Sequence, residues 1–123
     1  MEKIDGFEKL ECWKEARILV SLVYAACSTG MLSKDFDTRS QFRRAALSVM
    51  NNIAEGFGRE SDREVVRFLD IAQSSAMEVK SICYVLLDQK YLSAGTVEEI
   101  QASAERSKAL TRGLMRYRQS KIR

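Results

Sequence analysis

A chain of 123 residues with no proline and only six glycines is long enough to bury one core without disulfides or a structural metal, and little in it interrupts long helices. Charged side chains make up 30% and the formal net charge is +3, an ordinary globular balance. The absence of histidine removes the commonest general base, the Ser-His and Cys-His nucleophile pairs, most zinc sites and the Glu-x-x-His signature of di-iron bundles.

No catalytic residue, cofactor or metal is therefore expected, and the chain reads as a non-enzyme. Its first residues are acidic and lack an apolar signal segment, and no apolar stretch is long enough to span a bilayer, so a soluble protein of the cytoplasm with no membrane association is expected. Cys12, Cys27 and Cys83 are widely spaced among apolar neighbours and read as buried small hydrophobes, not as a disulfide framework or a CxxC metal motif.

Four segments carry helical periodicity. In the first, from about Phe7 to Cys27, Leu10, Trp13, Ala16, Val20, Val23 and Cys27 form one face, and Ile18, Leu19, Leu22 and Ala26 a second. Ser28-Thr29-Gly30 supplies a terminating glycine, and Asp37 or Ser40 can cap the next helix. That helix has Phe42, Ala45, Ala46, Val49, Ile53 and Phe57 inward, and Gly56 is placed to take the left-handed conformation at its end.

Ser61-Asp62-Arg63-Glu64 reads as a capping box, with Ser61 accepting from the Glu64 N–H and Glu64 reaching back. The third helix then runs to about Gln89 on Val65, Leu69, Ala72, Ala76, Val79, Cys83 and Leu86, with Phe68, Ile71, Ile82 and Val85 widening the stripe. Ser93-Ala94-Gly95 breaks the pattern, Thr96-Val97-Glu98-Glu99 forms a second capping box, and Ile100, Ala104, Ser107, Leu110, Leu114 and Tyr117 line the fourth helix. Long helices joined by short connections must lie antiparallel, which gives an all-α, up-down-up-down four-helix bundle in one domain over residues 1–123. Helices one and three carry more apolar surface than one core absorbs, and contact with further subunits accounts for the excess.

Arg44, Ser48, Asn51, Glu55 and Arg59 share one face of the second helix, readable as a binding surface or as a ladder of interhelix or intersubunit hydrogen bonds and ion pairs. Glu60, Glu64, Glu98 and Glu99 sit at helix starts, where the macrodipole favours negative charge, and with Glu78 they lack the spacing of a magnesium site. The turn Gly56-Phe57-Gly58-Arg59 could cradle a phosphate or serve only as a turn. Charge is segregated: residues 39–59 hold four basic and one acidic residue, and residues 105–123 hold seven and one. Lys108, Arg112, Arg116 and Arg123 fall on one side of the last helix, as a phosphate-tracking stripe or as a solvated face suited to a helix C-terminus.

The run from Gln41 to Gly56, with Arg59, Ser61, Glu64, Phe68 to Ser75 and Glu78, and earlier Phe7 to Leu10, Trp13, Lys14 and Ala16, resembles the four-helix bundle family named after the 23S rRNA intervening sequence. One branch of that family is similar to the accessory variability determinant of diversity-generating retroelements. The resemblance implies a pentameric ring and, from that branch, basic surfaces that bind nucleic acid and a reverse transcriptase. The matching motif offers Arg43, Arg44 and Arg59 as nucleic-acid-binding residues, and helical spacing adds Lys108, Arg112 and Arg116. The chain departs at Ser74-Ser75, where Gly-Ser is common, and in its acidic first and third segments. The expected function is a non-enzymatic homo-oligomer associated with RNA or DNA through basic patches. The alternative is a scaffold whose apolar helix faces bind a protein partner and which has no nucleic-acid role.

Overall fold

A computed structural model describes residues 5–122, so that Arg123 lies outside the described residues. A 3-10 turn at Phe7–Lys9 leads into α1 (Glu11–Cys27), and a second at Met31–Lys34 precedes α2 (Phe36–Phe57), α3 (Asp62–Asp88) and α4 (Ala94–Gln119). Helices α1 and α3 each pack against both α2 and α4, so the two stand diagonally across one core in an antiparallel four-helix bundle.

Side-chain caps set the starts of α2, α3 and α4, and two lie earlier than the sequence pattern suggests. Asp35, not Asp37 or Ser40, caps α2 by accepting from the Thr38 N–H at 3.2 Å. Ser93 caps α4 by accepting from the Thr96 N–H at 3.2 Å, so Ala94 and Gly95 lie inside the helix they were expected to interrupt. In both places a side-chain acceptor earlier than the anticipated one satisfies an orphan amide and starts the helix. Ser61 caps α3 as anticipated, accepting from the Glu64 N–H at 3.2 Å. Glu64 does not reach back; its carboxylate receives Arg67 Nε at 2.9 Å, a charged partner one turn away that outcompetes a neutral amide.

The inward stripes of α2 and α3 hold, with Phe42, Val49, Ile53, Leu69, Val79 and Leu86 all removed from solvent, whereas Ile71 and Val85, expected to widen the α3 stripe, are exposed. In α4 the stripe is Val97, Ile100, Ser103, Ala104, Ser107 and Thr111, and Leu110 and Tyr117 are exposed. Thr111 takes the inward place because its hydroxyl donates to the Ser107 carbonyl at 2.7 Å, so its own helix satisfies it inside the core.

Gly56 is not left-handed. It lies one residue inside α2, where an added Cβ would meet Phe68 Cβ at 2.9 Å, so the glycine permits close contact between α2 and α3. The left-handed positions are Gly30 (φ 59°), in the turn after α1, and Lys90 (φ 60°), after α3. At Lys90 the Tyr91 N–H reaches the Leu86 carbonyl at 2.9 Å and the Lys90 N–H the Leu87 carbonyl at 3.0 Å, a Schellman closure with a lysine in the usual glycine place.

Ile53 and Leu69 are both fully buried where α2 meets α3. Ile53→Ala and Leu69→Ala should each lower unfolding free energy by about 2–5 kcal/mol in denaturant titrations. Unchanged midpoints would mean that the stripes are out of register.

Candidate nucleic-acid interface

The chain between α1 and α2 builds a surface site. Leu32 is fully buried and anchors the second 3-10 turn against the core, while Asp35 closes that turn and caps α2. The other carboxylate oxygen of Asp35 accepts from the Tyr91 hydroxyl at 3.0 Å, tying the start of α2 to the turn after α3. Phe36, the first residue of α2, is thereby held outward, 67% exposed.

From this start, helical spacing places Arg39 and Arg43 on the side of α2 that faces α1. Arg39 donates from Nη1 to the Ser33 carbonyl at 2.8 Å and lies over the Phe36 ring, its guanidinium carbon 5.4 Å from the centroid. Arg43 lies over Tyr24 of α1 at 5.2 Å. These are cation–π distances, and each ring holds a planar guanidinium in place. Together with Ser40 and the exposed Arg44 they line a cleft of about 360 Å³. A neighbouring hollow of about 310 Å³ shares Phe36, Ser40 and Arg44 and adds Asp37 and Gln41.

The Nε atoms of Arg39 and Arg43 are shielded from solvent and have no hydrogen-bond partner among the described residues. Beneath them the buried Cys27 donates weakly to the Arg39 carbonyl at 3.9 Å. Its pKa is raised by burial, although the charges of Arg43 and Arg39 pull the other way.

Of the six residues anticipated from sequence, the cleft unites Arg43 and Arg44. Arg39 was missed, although its place one turn before Arg43 and three residues after an aromatic was visible in the sequence. Arg59 lies beyond the end of α2 and so off the helix face it was expected to share, roughly 20 Å from Arg44 by the rise of the intervening helix, over the Phe68 ring at 4.6 Å and 4.0 Å from Glu55. Lys108 is half-buried and 3.9 Å from Glu105, whose carboxylate also holds Lys80 at 2.6 Å. Arg112 and Arg116 are exposed on α4, the helix diagonal to α2.

The polar face of α2 makes an interhelix bond to Ser75 of α3 and further bonds within its own helix. Ser48 Oγ and Ser75 Oγ are 2.7 Å apart, and Asn52 donates to the Ser48 carbonyl at 2.8 Å. The three cysteines are free and buried as anticipated, and burial pushes the Cys83 thiol up to about 11. Among the described residues no helix is long and apolar enough to cross a membrane, and no three Cys, Asp or Glu side chains gather as a metal site.

The fold and cleft define a helical bundle whose charged and aromatic equipment lies on its surface. Residues 8–113 match the model of the 23S rRNA-intervening sequence protein family, and the chain belongs to that family. A crystal structure from Bacteroides thetaiotaomicron, described as a protein with unknown function from the S23 ribosomal protein family, is similar at a TM-score of 0.77 with 19% sequence identity. The match covers 85% of this chain and 97% of that one and establishes the shared fold. Among curated proteins none matches.

Hydrogen bonds from the Thr38 backbone, the Thr38 hydroxyl and Tyr91 lower the Asp35 pKa below its ordinary 3.8. A depressed carboxylate stabilises the fold fully above its unfolded value and loses that contribution as pH falls through the folded one. Asp35→Ala should therefore lower the melting temperature at neutral pH, and its gap to wild type should narrow as pH falls below 3.8. A gap independent of pH would show that the carboxylate charge contributes nothing.

Proposed function

We propose that this chain is a non-enzymatic homo-oligomer, a pentameric ring, that associates with RNA or DNA through arginine-bearing surfaces. The observation that carries this reading is the cleft in which Arg39, Arg43 and Arg44 meet the rings of Phe36 and Tyr24. Guanidinium groups are suited to phosphate by their fixed fork of donors, and aromatic faces beside them are suited to bases. Arg112 and Arg116 add a second exposed basic surface on α4.

Assembly is supported by apolar side chains that the single chain leaves uncovered. Ile71, Met77, Tyr84 and Val85 of α3 and Ile18 of α1 are all exposed by more than a third, on helices at opposite corners of the bundle. Unlike faces at opposite corners suit a head-to-tail contact, and a head-to-tail contact that closes makes a ring. The same exposed residues favour the second reading, a scaffold that lays these faces against a helix of another protein.

Sedimentation equilibrium at micromolar concentration should give a closed oligomer of five chains; a concentration-independent monomer would rule out the ring. Wild-type protein should retard RNA or DNA, with log affinity falling against log salt by about 0.9 per neutralised phosphate on duplex and about 0.7 on single strands. Arg44→Glu, and separately Arg112→Glu with Arg116→Glu, should weaken binding to all sequences and flatten that slope while helicity and oligomer size persist, since exposed substitutions usually shift stability by about 0.5 kcal/mol or less. No retardation at low salt would leave the scaffold reading in possession.

A further inference from the structure

We propose that the cleft at the start of α2 is a site for unpaired nucleotides: the base stacks on the ring of Phe36 while the adjoining phosphate is held by Arg39, Arg43 and Arg44. This rests on the reading of the protein as a nucleic-acid binder and narrows it to single strands or unpaired loops.

The first ground is a pair of guanidinium groups fixed in place at the cleft. Buried polar atoms are almost always hydrogen-bonded, yet the Nε atoms of Arg39 and Arg43 have no partner among the described residues. Both guanidinium groups are held by ring stacking, and Arg39 also by its bond to the Ser33 carbonyl at 2.8 Å, so little rotamer freedom remains to be lost on binding. The rest of each guanidinium lines the cleft beside the exposed Arg44, and a phosphate there is an acceptor of the right charge and shape for that planar fork of donors.

The second ground is Phe36. A phenylalanine 67% exposed at the first turn of a helix leaves most of its ring uncovered, and both hollows border it, at about 360 and 310 Å³. Asp37 lines only the second hollow. Its carboxylate disfavours a phosphate there, which directs the phosphate to the side of Arg39 and Arg43 and the base to the side where Asp37 and Gln41 can meet its edge.

The third ground is geometric exclusion. Within a duplex both faces of a base are covered by its neighbours, so only an unpaired base can present a face to Phe36. An acidic peptide satisfies the arginines equally well and leaves the aromatic ring unused.

The test compares binding of one labelled single strand, the same sequence as duplex, and an abasic strand of equal length, at one salt concentration by fluorescence anisotropy. Wild-type protein should bind the single strand about tenfold more tightly than the abasic strand, within the range of about five- to 150-fold that one stacked base contributes. Phe36→Leu should reduce the single strand to the abasic level and cost the duplex and the abasic strand equally and much less, through the loosened Arg39 alone, and Phe36→Trp should restore the preference. The exposure of Phe36 keeps these variants folded, as circular dichroism would verify. Equal affinity for single and abasic strands, or an unaffected Phe36→Leu, overturns the inference and leaves phosphate binding standing. Displacement of the strand by polyglutamate as readily as by unlabelled strand also overturns it, in favour of an acidic peptide. Failure of all three nucleic acids to bind at low salt removes the parent reading and the inference together.

Discussion

The close approach of α2 and α3 is the constraint on which the rest of this bundle depends. Gly56 leaves no room for a Cβ beneath Phe68, and higher up Ser48 and Ser75 meet at 2.7 Å, a distance that only short side chains on both helices allow. Ala45, Ala72 and Ala76 are buried on the same two helices. Small residues bring the two helix axes together, and the hydroxyl pair satisfies the polar atoms thereby enclosed. The segment that carries the family resemblance runs through these positions, so it records a packing requirement before any binding chemistry. Once the inward face of α2 is fixed this way, helical geometry sends Arg39 and Arg43 to the α1 side and leaves Arg44 exposed.

Charge in α4 is smaller than its count of lysines and arginines implies, because several of them act inside the bundle. Arg106 reaches Glu15 of α1 at 2.6 Å, Arg118 binds Asp62 at the start of α3, and Lys108 shares Glu105 with Lys80. Such partly exposed pairs contribute little stability each, at about 0–1 kcal/mol, but they do fix neighbours. Glu15 also accepts from Ser103 at 3.3 Å, which orients α1 against α4 over a seam of small residues. The outward positive potential of the helix is carried by Arg112 and Arg116, together with Lys121 over the Tyr117 ring at 4.6 Å.

The fold was legible because its signals are periodic: Val65, Leu69, Ala72, Ala76, Val79, Cys83 and Leu86 stand at helical spacing and all are buried. The errors fall where one residue type has two physical uses. Gly56 reads as a left-handed terminator because glycine is the usual occupant, yet here it serves interhelix contact, and a lysine takes the left-handed place after α3. Thr111 is absent from the apolar stripe read along α4 because it is polar, and it is buried because a helix carbonyl accepts its hydroxyl. The site was half legible. Arg43 and Arg44 stood out in a basic run, whereas Tyr24 comes from another helix, a relation that spacing along α2 does not encode, and the spacing of Phe36 and Arg39 became meaningful only with a helix start set by the Asp35 cap.

If the protein binds nucleic acid as proposed, a cleft of three arginines would bind weakly in one copy, and its usefulness would depend on repetition. Each arginine that meets a phosphate releases condensed counterions, so contacts multiplied around a ring lower the dissociation constant without any new kind of contact. That gain is realised only if successive clefts can engage one flexible strand, because a strand too stiff or too short to reach the next copy gains nothing. A single strand bends between neighbouring sites far more readily than a duplex, whose persistence length of about 150 base pairs greatly exceeds the dimensions of such a ring. In the proposed ring, the preference for unpaired nucleotides set by Phe36 within one cleft and the preference for a flexible strand set by the spacing of copies would therefore act in the same direction.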